Sequence, residues 1–410
     1  MKFKTGSALA GVALVGSLVV TMLPSVSSAA TKTVNDRTFN ARFTTMKYLR
    51  DIVTKGHGSI AVILPDTVSS ARWADFDAPA FKSAFNAAGL KPSQYIVQNA
   101  LGSDLTQYSD AQADIAKGAK VLILTSLDSS TSAVVEAYAV ARGVKVIDYD
   151  RLTLGGARSY YVSFKNVAVG RLIGKGLLAC ITKWHVSAPD VLVMKGAPSD
   201  NNATLFAEGY DAVLNGAGFK TKSGSSNTVL ERVGTWTPDV ALTDFEREYA
   251  AHPKINAVLT PSDENAAPII QHLQGAGLKP RTIPFTGQGT TLVGIQNVIS
   301  GYQCGTVYKP SWLEAQVTTA LAIYLRAHVK PPSGLVNSST TDSGATNASY
   351  KHVPSVLLSP KWVTASKVES TVVKDKVLKA SVICTSAAPT VAGDSSIPTY
   401  SADCTTYGIK

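Results

Sequence analysis

Basic residues never cluster in this chain. Its 39 Lys and Arg exceed its 29 Asp and Glu, for a net charge of +10. Yet no run of them forms a tail or one face of a helix. Contact with nucleic acid needs such a cluster, so none is expected as a partner. Histidine is scarce, with six residues at His57, His185, His252, His272, His328 and His352, scattered along the chain. Cysteine is scarcer still. Cys180, Cys304, Cys384 and Cys404 are the four, and no two lie close enough for the usual zinc-ligand spacing, so no metal site is expected. A nucleophile elbow is missing. Gly287-Gln288-Gly289 resembles a phosphate-binding turn, but the rest of the dinucleotide fingerprint is absent and no cofactor is expected. Past the N-terminus there is no apolar run long enough to span a bilayer.

The N-terminus carries what the rest lacks. Met1-Lys2-Phe3-Lys4 is a basic start, Ala8 to Leu23 is apolar, and Pro24 to Ala30 is small and polar. That order predicts a secretory signal peptide over residues 1–30, cleaved near Ala29 or Ala30. No cysteine stands at the cleavage site, so a lipid anchor is not expected there. The chain is expected to act outside the cytoplasm, with a net charge of +8 once Lys2 and Lys4 are removed. An even number of cysteines in an exported protein allows two disulfides in three pairings. Cys384 and Cys404 flank one Ser/Ala/Pro/Thr-rich stretch. Closing a loop of that size contributes roughly 3 kcal/mol in the chain-entropy model, which favours Cys384–Cys404. Cys180 and Cys304 remain, and they pair if the fold brings them together.

Residues 31–57 read as a polar leader with one amphipathic piece, Met46 to Val53. From Ser59 the pattern is regular. Short apolar strands at 59–64, 95–97, 121–124 and 144–147 alternate with helical spacing at 73–88, 105–117 and 132–141. The alternation restarts with a helix at 167–181. Strands at 191–194, 228–233, 257–259 and 283–285 then alternate with helices at 202–214, 240–250, 266–274 and 292–299. Continuous apolar strands between Gly-ended helices predict parallel sheets covered on both faces. The fold class is therefore α/β, with two doubly wound lobes, each long enough to bury its own core.

In such sheets a ligand sits beyond the carboxyl ends of the strands. The residues there are Asp66 and Arg72-Trp73, then Asp148-Tyr149-Asp150-Arg151, Asp200-Asn201-Asn202, Trp236, Ser262-Asp263, Gln288 and Lys309. Carboxylate, amide and guanidinium groups saturate hydroxyls that both donate and accept. Indole faces cover the apolar faces of a sugar ring. Singly, an Asp here reads as well as a helix cap or turn residue, and Trp236 as core. Their shared place at strand ends is what points to a small polyhydroxylated ligand.

Ile63-Leu64-Pro65-Asp66, Ala71-Arg72-Trp73, Asp148 to Leu152, Tyr160 to Phe164, Gly196 to Ala203, Thr286-Gly287-Gln288 and Thr306 to Pro310 occur in one order. With them, the chain from about Ser59 onward resembles the periplasmic-type solute-binding proteins of sugar ABC importers. It most resembles the D-xylose-binding proteins, including their high-G+C Gram-positive versions. The resemblance implies a type I periplasmic binding protein fold with a three-stranded hinge. One lobe would span 58–163 and 308–335 and the other 164–307 and 353–385, with 386–410 a disulfide-stapled tail. It implies a monosaccharide or polyol ligand, a permease partner and a monomeric protein. Arg72, Trp73, Asp150 and Arg151 would bind from the first lobe. Asp200, Asn202, Trp236, Ser262, Asp263 and Gly289 would line the second, and Lys309 would reach in from the hinge. Two departures stand out. The xylose-type pattern has Asn-Asp where this chain has Ser262-Asp263, and Gly-Gln-Asp where it has Gly287-Gln288-Gly289. Losing an acid that accepts sugar hydroxyls costs about 1.5–3 kcal/mol if nothing replaces it, so xylose itself is not assured as the ligand.

Other functions fit less well. A glycosidase would need two carboxylates at a fixed separation across one bond. Asp150 and Asp200 would lie on opposite lobes, and Arg151 would keep its neighbour ionised. A transcription regulator on the same fold needs an N-terminal helix-turn-helix where this chain has an apolar leader. A sensor docking on a membrane receptor uses the same closed form as a transport protein and is not separable by sequence.

Overall fold

The computed structural model describes residues 34–219, 228–232, 234–385 and 400–410, with the side chains of 228–232 excepted. The expected signal peptide and most of the stretch between Cys384 and Cys404 lie outside the described residues.

A short 3-10 turn, Thr44–Leu49, leads into α1 (Arg50–Val53). The first repeat then runs β1 (Ser59–Leu64), α2 (Ala78–Ala88), β2 (Tyr95–Asn99), α3 (Asp104–Ala116), β3 (Ala119–Leu124), α4 (Ala133–Val140), β4 (Lys145–Tyr149) and β5 (Tyr160–Phe164). β1 is buried along its whole length, as a parallel strand covered on both faces must be. The second repeat runs α5 (Asn166–Lys183), β6 (Asp190–Met194), α6 (Asn201–Gly216), β7 (Thr228–Arg232), α7 (Pro238–Ala251), β8 (Ala257–Leu259), α8 (Asp263–Gly275), α9 (Leu292–Ser300) and β9 (Thr306–Tyr308). The chain then returns through α10 (Ser311–Arg326), β10 (Ser338–Thr341), α11 (Ala348–Lys351) and β11 (His352–Leu358). It ends with β12 (Lys361–Val363), α12 (Ala380–Thr385) and α13 (Ser401–Tyr407).

The first sheet has the order β10-β11-β5-β4-β3-β1-β2, parallel except for the β10–β11 pair. The second has β7-β6-β8, all parallel. It continues through Phe285, which bridges Val258, and Gln288, which bridges Val307 of β9, to the antiparallel pair β9–β12. The strand expected at 283–285 is thus a single bridge. The chain passes between the sheets at the β5–α5, β9–α10 and β11–β12 junctions. The first and third passages are tied by the Lys165 N–H, which donates to the Leu358 carbonyl at 2.9 Å.

Two expectations about organisation need correction. Residues 353–358, expected in the second lobe, pair with β5 in the first sheet, so the third passage falls after them, at the β11–β12 junction. The described part of the supposed leader is core of the first lobe. Met46 and Leu49 are fully buried, and Arg326 and Gln316 of α10 donate to the Val53 and Asn40 carbonyls. The apolar side of the amphipathic piece Met46 to Val53 packs on α2 and α10. The C-terminal tail is disulfide-stapled, as expected, and its described residues dock on the second lobe. Tyr400, Cys404 and Ile409 pack with Ile299, Tyr308 and Val363 of the second lobe. Both cysteine pairs are bonded, Cys180–Cys304 across 124 residues and Cys384–Cys404 across 20.

The α5–α6 crossing is close because two glycines meet there. A Cβ on Gly170 would lie 1.9 Å from the Phe206 carbonyl oxygen, and one on Gly209 2.2 Å from that of Val167. The N-terminus of α6 itself meets the first lobe, where Asn202 Nδ2 donates to the Asp150 carbonyl at 3.1 Å.

Candidate functional site

Asp150 is the centre of the site. It follows β4 with φ of 61°, a left-handed conformation that Asp tolerates better than most residues. Its backbone is held there: its N–H donates to the Val162 carbonyl, and its own carbonyl accepts from Tyr161 and Ser163 of β5. The carboxylate accepts from Arg72 Nη1 at 2.8 Å, Lys309 Nζ at 3.1 Å and Asn202 Nδ2 at 3.1 Å. Burial pushes the carboxyl up, but Lys309, Arg72 and Arg151 outweigh it and hold the group well below the usual carboxylate range.

Arg72 is itself held by three acids. Its guanidinium forks onto Asp77 at 2.7 and 2.9 Å and reaches Glu314 of α10 at 2.9 Å. That bidentate grip fixes its plane. The Arg72 and Arg151 guanidinium carbons sit 4.5 and 5.4 Å from the centre of the Trp73 ring. Trp73 is buried, and its indole Nε1 has no partner. Residues 73–77 form one π turn before α2 begins, where a continuous helix from Trp73 was expected.

The opposite wall is built on helix N-termini. Asp200 caps α6, accepting from the Asn202 N–H at 2.9 Å. Its other oxygen accepts from Trp236 Nε1 at 3.1 Å and pairs with Arg151 Nε at 3.1 Å. Trp236 lies over Gly196, where a Cβ would come within 2.2 Å of the ring, and meets Phe206 edge-on. Asn202 is oriented by Asn166, which donates to its side-chain oxygen at 2.7 Å. Ser262 caps α8 and donates to Glu264 Oε2 at 3.2 Å.

These side chains line one cavity that opens to solvent between the two walls. Nine of the eleven residues implied by the resemblance line it: Arg72, Trp73, Asp150, Arg151, Asp200, Asn202, Trp236, Ser262 and Lys309, joined by the strand-end residue Gln288. Two do not. Asp263 points away from it, accepting from Gln303 at 2.7 Å, Thr306 at 2.9 Å and the Thr291 N–H at 3.1 Å. Burial, with the neighbouring Glu264 charge, pushes its carboxyl up to about 7. Gly289 has φ of 124° and is absent from the lining. A Cβ there would lie 3.4 Å from Glu264 Oε2. Asp66 is a turn residue that holds the β1–α2 loop through the Val68 and Ser69 N–H groups.

Ser69, Ser70, Phe206, Pro261 and Glu264 also line the cavity and were not expected there. An acid in the first turn of a helix reads as a favourable charge on the helix dipole, which masks Glu264. Among the described residues no group of three His, Cys, Asp or Glu is placed to hold a metal.

A family model described as "Periplasmic binding protein domain" matches residues 60–328. The D-xylose-binding periplasmic protein of Escherichia coli is 32% identical over 285 residues, covering 69% of this chain and 81% of that protein. A multiple sugar-binding periplasmic protein of Azospirillum brasilense is 30% identical over 328 residues, covering 77% and 88%. Among solved structures, an ABC transporter solute-binding protein from Clostridium phytofermentans with bound β-D-glucose has a TM-score of 0.68 at 23% identity. That likeness of fold covers 79% of this chain and 99% of the other.

Proposed function

The chain belongs to the periplasmic binding protein domain family, and on that footing we propose that it is an exported solute-binding protein. It captures one monosaccharide, a xylose-like sugar or related polyol, between its lobes and delivers it to an ABC importer permease. The observation that carries this reading is the cavity itself, where Arg72, Asp150, Arg151 and Lys309 from one side meet Asp200, Asn202 and Trp236 from the other. The names of the relatives, D-xylose-binding and multiple sugar-binding, support a sugar over other small solutes.

In this reading the nine expected residues that line the cavity contact the ligand. Trp73 and Trp236 cover its apolar faces. The β5–α5, β9–α10 and β11–β12 junctions form the hinge, since a few residues at each absorb the rotation. A ligand touching both walls stabilises the closed form by its differential affinity for it. No chemistry follows binding: Asp150 is held ionised between two cations and has no proton to give to a glycosidic oxygen. Export rests on the N-terminal signal pattern.

Calorimetry of the mature protein against pentoses, hexoses and polyols, with the sugar recovered afterwards, tests the reading. Saturable one-to-one binding with the sugar unchanged is the expected result. Turnover, or no binding by any polyhydroxylated compound, overturns it.

A further inference from the structure

The cavity contains one acid without a basic partner. Arg72, Arg151 and Lys309 each face a carboxylate within 3.1 Å. Glu264 lines the same cavity, but among the described residues no Lys or Arg forms an ion pair with it. Its Oε1 accepts from Ser70 of the first lobe at 2.6 Å and its Oε2 from Ser262 at 3.2 Å. Burial pushes its carboxyl up, and these hydroxyls work against that shift. Both donors are neutral. The same carboxylate lies 3.4 Å from where a side chain at Gly289 would begin, so the space left by that glycine belongs to Glu264.

We infer that Glu264 is a specificity-determining residue that restricts the ligand to neutral, hydroxyl-rich sugars and rejects their acids. This deepens the proposed function and rests on it. A carboxylate with spare lone pairs accepts ligand hydroxyls in charge-assisted bonds. A sugar carboxylate or phosphate in the same cavity meets an uncompensated like charge, while the cations that would receive it are already paired. Discrimination of this kind comes from the repulsive element as much as from the attractive one. Glu264 also accepts from Ser70 across the cleft, so the acid takes part in the contact between the lobes.

The test uses matched pairs: D-glucose with D-glucuronate, D-galactose with D-galacturonate, and D-xylose with D-xylonate, titrated into the wild type and Glu264→Gln. The wild type should bind the neutral member of at least one pair and its acid at least a hundredfold more weakly. Glu264→Gln, similar in size but uncharged, should weaken the neutral sugar about ten- to a hundredfold and narrow the gap to the acid. Equal wild-type affinity for a neutral sugar and its acid overturns the inference without any variant being needed. So does a Glu264→Gln protein, folded by circular dichroism, that keeps both the affinity and the gap. Failure of every neutral polyhydroxylated compound to bind the wild type counts instead against the proposed function.

Discussion

Arg151 Nε and Asp200 Oδ2 stand 3.1 Å apart, so the end of β4 in one lobe is joined directly to the cap of α6 in the other. The acid thus serves three partners: a helix N-terminus, the Trp236 indole and the cation across the cleft. Asp200→Ala removes all three. Sugar affinity should fall ten- to a hundredfold, equivalent to about 1.5–3 kcal/mol for a bond to a charged group. The lost cap should add about 1 kcal/mol of destabilisation. Calorimetry and urea denaturation read the two effects separately, and unchanged affinity for a demonstrated ligand would remove Asp200 from the site.

Asp150 is the counterion for Lys309 and shares Arg72 with Asp77 and Glu314. Asp150→Asn preserves a residue that accepts the left-handed backbone but leaves Lys309 buried without its acid. Breaking a buried pair this way costs about 3–5 kcal/mol. Adding Lys309→Met should recover a good part of that loss, and a double-mutant cycle in denaturant checks it. An additive outcome would mean that the pair is not coupled.

Asp263 should make stability depend on pH. Its carboxyl is raised to about 7 in the folded chain, against an ordinary value of about 3.9. Between those values the folded state holds a proton that the unfolded state has released. The contribution is therefore full at low pH and is lost as pH rises through about 7. Denaturation midpoints of wild type and Asp263→Asn measured from pH 4 to 8 should show this fall in the wild type and a flatter curve in the variant.

The long disulfide should matter more than the short one. Cys180–Cys304 ties α5 to the start of β9 across 124 residues, whereas Cys384–Cys404 spans 20. The chain-entropy model gives about 4–5 kcal/mol for the first and about 3 kcal/mol for the second. Paired Cys→Ser variants, compared by denaturant midpoint under oxidising conditions, test the ranking.

Adding an acid at position 289 should not restore a xylose-type pocket. Gly289→Asp would place a side chain at φ of 124° and 3.4 Å from Glu264 Oε2, with Asp263 Oδ2 at 3.8 Å. Backbone strain of about 1–3 kcal/mol and a third carboxylate beside two others should lower the melting temperature and weaken sugar binding. A gain in xylose affinity at unchanged stability would refute that.

The ends of strands were readable from sequence because apolar runs stop where polar residues must face a ligand or solvent. Arg72, Asp150, Asp200 and Lys309 were found that way, and all four line one cavity. Asp263 was misread because it shares a strand end with Ser262, and one step along a helix start turns a side chain from the cleft to the interior. Glu264 was missed for the converse reason: its position suits a helix dipole whether or not a cavity lies in front of it. The placement of β11 in the first sheet was hidden too. His352–Leu358 pairs with β5 at a distance of nearly two hundred residues, and nothing local in an apolar strand names its neighbour.

The acids that neutralise Arg72, Arg151 and Lys309 also govern how a solute arrives. With each cation matched inside the protein before anything binds, the charge left facing the cleft is that of Glu264, which acts on ions and not on a neutral solute. An uncharged sugar is then neither steered nor repelled. Its association rate follows diffusion and the frequency with which the lobes part, and should stay level as ionic strength is raised.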